Sequence, residues 1–114
     1  MKFFAAASAL ALIATPLASP IAAQTTNLSY DDRVTCAALL FISSKEAEDP
    51  ELEQAMSAHH LTKAIEMSGK PQDDVVADTA RKMEAVLPAW EREDQAIAEV
   101  YAGCIIAVIE EFEG

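Results

Sequence analysis

The chain has 114 residues, with 8 lysines and arginines against 19 aspartates and glutamates, a formal net charge of −11. A chain this long builds one core rather than two. The acidic balance excludes nucleic acid and anionic lipid as partners, because both need a basic surface.

The first element is an export leader. Lys2 supplies the charged start, Phe3 to Ala14 the apolar stretch, and Pro16 to Ala23 the small-residue exit, the order of parts in a secretory signal peptide. The favoured cut follows Ala23, where Ile21 and Ala23 are the residues a peptidase reads; a cut after Ala18 is the alternative. A membrane anchor fits less well. Phe3 to Ala14 is shorter than the ~20 residues a spanning helix needs, and extending it to Ala23 takes in Pro16 and Pro20. No cysteine precedes Cys36, so the leader does not end in a lipid-attachment cysteine. The alanine-rich composition points to a bacterial periplasmic or secreted protein that has no membrane segment after cleavage. Removing Lys2 leaves 7 basic against 19 acidic residues, a charge of −12.

Export changes the reading of Cys36 and Cys104. Two cysteines in an oxidising compartment most often pair, and a redox couple would sit close together as C-x-x-C. A bridge closing a loop of ~70 residues contributes about 4 kcal/mol through chain entropy.

After a short disordered lead-in over 24–28, the expected single domain over 29–114 reads as helical throughout. Ser29 and Asp32 form a capping-box pair and open a first helix. It runs through the apolar stretch Val34 to Ile42 as far as about Glu48. Asn27-Leu28-Ser29 also matches a glycosylation acceptor, but Ser29 reads better as the cap. Asp49-Pro50-Glu51 opens the second helix, with proline at the first helical position. Gly69 closes that helix as a left-handed cap. Lys70 to Asp74 opens the third, whose apolar stripe is Val76, Ala80, Met83, Leu87 and Trp90.

Pro88 lies on that stripe and disfavours helix at Leu87. Two outcomes are compatible with it: one helix kinked at Pro88, or two helices meeting in the polar stretch Glu91 to Gln95. A straight helix from Gln72 to Phe112 would be ~60 Å long, more than a domain this small can cover. The fold class is therefore all-α, a small up-down bundle of four helical segments. Antiparallel first and last helices would bring Cys36 level with Cys104. Val34 to Ile42 and Ile105 to Ile109 are apolar nearly all round, which places both helices in the core. It also leaves a homodimer through one such face as an option.

Catalytic machinery is sparse. The chain has no Gly-x-Ser-x-Gly elbow, no glycine-rich phosphate loop or dinucleotide fingerprint, and no D-x-D-x-D-G calcium loop, so no enzyme and no cofactor is expected. Met56, His60 and Met67 share one helical stripe, and thioether with imidazole suits copper. Methionines at helical spacing are more often core filler, and His59 beside His60 points about 100° away on a helix. Trp90 and Tyr101 read as core anchors, with Trp90 an alternative contact for a protein partner. Glu46, Glu48, Asp49, Glu51 and Glu53 crowd one loop, and Glu110, Glu111 and Glu113 the C-terminus. Mutual repulsion is expected to raise their pKa values, so that acid discharges and loosens the chain. The expected role is an exported, non-enzymatic protein that binds or protects other envelope proteins under acid or other stress. Copper binding and homodimeric assembly are the alternatives.

Overall fold

The computed structural model describes residues 27–113, which form four helices: α1 Tyr30–Ser44, α2 Pro50–Ser68, α3 Gln72–Glu91 and α4 Gln95–Glu113. No strand occurs among the described residues. The leader and its cleavage site lie outside them.

Local chemistry sets most boundaries where the sequence puts them. Ser29 Oγ accepts the Asp32 amide at 3.1 Å, and the Asp32 carboxylate accepts the Ser29 amide at 3.1 Å, so both halves of the capping box are present. Pro50 occupies the first turn of α2, and Gly69 ends that helix at φ 71°, a backbone conformation glycine reaches at no steric cost. α1 stops earlier than expected, at Ser44 rather than Glu48. Ser44 turns its hydroxyl back onto the Phe41 carbonyl at 2.6 Å, a serine bond that competes with the helical ladder. The following amides of Lys45 and Glu46 close a turn on Ile42 and Ser43.

The break before the last helix falls in the polar stretch rather than at Pro88. α3 runs through Pro88, which sits in its last turn. The helical bond that Pro88 cannot make would have gone to the carbonyl of Glu84, an exposed residue, so water can replace it. The stop itself is a Schellman turn. The Asp94 amide reaches the Ala89 carbonyl and the Glu93 amide the Trp90 carbonyl, each at 3.0 Å, with Glu93 in the left-handed region at φ 56°. Asp94 then caps α4 by accepting the Ala96 amide at 2.9 Å, the role its short side chain suits.

α1 is the central helix and packs against all three others. Ser57 Oγ donates to the Ala37 carbonyl at 2.7 Å and Arg33 meets His60, so α2 runs antiparallel to α1. The Cys36–Cys104 disulfide, with Cα atoms 5.3 Å apart, together with the Arg33–Glu111 and Ser43–Tyr101 contacts, sets α4 antiparallel to α1 as well. Tyr30–Asp78 and Asp31–Lys82 hold α3 alongside α1 in the same direction.

The main core cluster is Cys36, Leu39, Leu40, Met56, Tyr101, Cys104 and Val108; a smaller one joins Val34, Ala64 and Val75. Leu28, just ahead of α1, packs against the main cluster.

Two expectations about faces need correction. α1 is buried on nearly every side, but α4 is not: Ile106, Ile109 and Phe112 are 47%, 49% and 74% exposed. Three helices cover α1, and none is left to cover the outer side of α4. The buried stripe of α3 is also rotated. Val75 is fully buried while Val76 and Leu87 are exposed, because the Asp78 and Lys82 contacts to α1 turn that side inward.

Candidate functional site

The densest chemistry among the described residues is a polar knot that ties α1, α2 and α4 together beside the disulfide. Arg33, 5% exposed, is the one base of α1. Its guanidinium donates to both carboxylate oxygens of Glu111, with Nη1–Oε1 at 3.0 Å. Such a forked pair is the strong form of the arginine–carboxylate bond. His59 Nε2 reaches Glu111 Oε1 at 2.6 Å, and the His59 ring packs on Phe112 with centroids 4.9 Å apart.

His60 lies behind this pair and is fully buried. Its Nδ1 is 3.0 Å from Arg33 Nη1, and its Nε2 is 2.9 Å from the Cys104 carbonyl. A guanidinium can only donate and a carbonyl can only accept. Nδ1 must therefore be bare and Nε2 must carry the proton, which fixes one neutral tautomer. Burial lowers the His60 pKa to about 4, and the neighbouring Arg33 charge acts in the same direction. A second proton on His60 would leave Arg33 N–H facing an N–H.

Glu111 corrects the expectation of raised acids at the C-terminus. Burial alone would push its carboxyl up, but the Arg33 and His59 hydrogen bonds more than reverse this and hold it at about 2.

Two smaller constellations flank the knot. Tyr101 donates to Glu53 Oε2 at 2.9 Å, bonds Ser43 Oγ at 3.0 Å, and meets Trp90 edge-on at 5.3 Å. Burial raises the Tyr101 pKa. Trp90 is thus held at the core edge, its indole N–H turned to Glu46 at 3.4 Å. On the other side Tyr30 donates to Asp78 at 2.5 Å, and Lys70 donates to the same oxygen at 3.1 Å. These hydrogen bonds bring the Asp78 carboxyl down to about 2.

The copper stripe does not assemble as a ligand set. Met56 belongs to the core cluster, Met67 is 51% exposed, and both ring nitrogens of His60 are already bonded. A metal ion would have to displace Arg33 or the Cys104 carbonyl. An open cleft of about 410 Å³ is lined by Asn27, Leu28, Arg33, Lys63, Glu66 and Met67. Arg33 is committed to Glu111 there, so the cleft does not present its guanidinium to a ligand.

The knot was not anticipated, yet its ingredients are visible in the sequence. A lone arginine three residues before Cys36, on an otherwise apolar helix, needs a distant acid. Cys104, Val108 and Glu111 lie at helical spacing on one stripe. Joining the cysteines with the helices antiparallel puts Arg33 and Glu111 at the same end of the pair, about one turn out of level and within reach of two long side chains.

No protein-family model matches the chain, and comparison with curated proteins and with solved structures gives no significant match.

Proposed function

We propose that the chain is exported by a leader cut after Ala23. Outside the cytosol it works as a non-enzymatic, up-down helical bundle that binds or protects other proteins of the cell envelope, with acid as the trigger. The observation that carries this reading is His60, buried and neutral between Arg33 and the Cys104 carbonyl. A proton forced onto Nδ1 sets two cations against each other at the junction of three helices. In still stronger acid, protonation of Glu111, held at about 2, removes the counter-charge of Arg33. The C-terminal turns of α4 lose their tie to α1 and α2, while the disulfide keeps the middle of α4 in place. Apolar side chains under α4 become available to an acid-damaged client.

The test is dye binding to exposed apolar surface, together with light scattering of an aggregating client protein, from pH 7 to pH 3. Dye binding should rise and scattering should fall as the pH passes below about 4, where His60 gains its proton. A chain that binds no more dye at pH 3 than at pH 7 and leaves scattering unchanged rules the role out.

A further inference from the structure

The outward face of α4 carries a short apolar seam. Ile106, Ile109 and Phe112 follow one another at steps of three residues, a spacing that keeps successive side chains as neighbours on the helix surface. Cys104, Ala107 and Val108 occupy the opposite, buried side, whereas Ile106, Ile109 and Phe112 are about half to three-quarters exposed. Beside the seam the position of a Cβ on Gly103 meets nothing within 4 Å, so a partner backbone can approach closely. Exposed apolar residues in series, unlike scattered ones, mark an interaction surface.

Charge selects the occupant. α4 contains no lysine or arginine, while Glu99, Glu110 and Glu113 follow the outer margin of the seam. A second copy would set these acids against their own kind, on chains that each carry −11. A basic partner gains from the same field, both in encounter rate and in register. We infer that α4 docks a basic amphipathic helix of another protein. The helix lays its apolar stripe on Ile106, Ile109 and Phe112 and its lysines or arginines along Glu99 and Glu113. This rests on the reading of the chain as a protein-binding module and names the chemistry of what it binds at neutral pH.

The experiment is calorimetric titration of the oxidised chain at pH 7. The probes are a synthetic helix with leucine at its heptad a and d positions and lysine elsewhere, and its counterpart with glutamate for lysine. The lysine helix should bind, and the glutamate helix should not. Ile106→Ser with Ile109→Ser should weaken binding about ten-fold or more, with helicity checked by circular dichroism. Leu52→Ser, at an exposed apolar site on α2, should leave binding unchanged. Glu99→Gln with Glu113→Gln should flatten its salt dependence. Equal binding of both helices, or indifference to the isoleucine pair, overturns the inference. So does a dimer in solution that the isoleucine pair converts to monomer, because the occupant is then a second copy. Client protection in acid without binding of the lysine helix defeats the docking inference alone. Binding without protection defeats the acid role alone.

Discussion

His60 couples a proton to the fold through a single nitrogen. In the unfolded chain its imidazole titrates near 6.5, and in the folded chain near 4. Between those values the unfolded state holds the extra proton, so stability declines as pH falls from 6.5 to 4 and levels off below. A gap of that size corresponds to about 3 kcal/mol. Urea midpoints between pH 7 and pH 4 should show the decline. His60→Gln keeps a donor for the Cys104 carbonyl but cannot titrate, so its midpoint should be nearly flat over the window; an unchanged slope would assign the acid sensitivity elsewhere. Glu111 adds a second window of the same sign. Its folded pKa of about 2 lies below the ordinary 4.5, so its stabilisation is present above pH 4.5 and is lost as pH falls towards 2. Removing Glu111 at neutral pH leaves Arg33 buried without its carboxylate, which costs roughly 3–5 kcal/mol. Arg33→Met combined with Glu111→Leu replaces the pair by apolar volume and should recover most of that loss. A double-mutant cycle that finds the two changes additive would show that the pair is not coupled.

At the level of the helices, the sequence announced starts better than stops and faces. Ser29, Pro50 and Gly69 act through their own covalent structure, so each could be read without knowing its neighbours. Pro88 left two outcomes open because proline is a strong local signal, yet it is harmless in a last turn whose orphaned carbonyl is solvated, and the helices meet in the polar stretch. The true stop at Glu93 carries no glycine to announce it. The rotation of α3 was hidden for another reason. Its buried side includes Asp78 and Lys82, whose partners Tyr30 and Asp31 are about 50 positions earlier in the chain. A hydropathy stripe counts such residues as exposed. The exposure of α4 is a property of packing order and is written in no single helix. Glu93 yields a prediction at this scale. A side chain in the left-handed region at the end of α3 is disfavoured, and glycine removes that penalty while adding entropy to the unfolded chain. Glu93→Gly should raise stability by about 0.5–1 kcal/mol. Thermal unfolding that shows no gain, or a loss, would mean that the Glu93 side chain contributes more than its backbone conformation costs.

Across the whole molecule the disulfide and the polar knot are two fasteners on the same pair of helices. Cys36 lies about one turn of helix from Arg33 and Cys104 about two turns from Glu111, yet only the ionic fastener responds to pH. The bridge spans 68 positions and contributes about 4 kcal/mol, a large part of the ~5–15 kcal/mol typical of a domain. The two losses therefore compound in different ways. With the bridge intact, protonation of His60 strains the knot but leaves α1 and α4 linked near the middle of each helix, so far-ultraviolet helicity should persist at pH 4 even as side-chain order loosens. With the bridge removed by Cys36→Ala and Cys104→Ala, the same acid step acts on a chain already near its stability limit, and helicity should collapse together with side-chain order. Circular dichroism in the far and near ultraviolet, recorded for both forms from pH 7 to pH 4, distinguishes these cases. If the two forms lose helicity at the same pH, the covalent link does not hold the acid form together. The loosening of α4 would then be global unfolding rather than a local release.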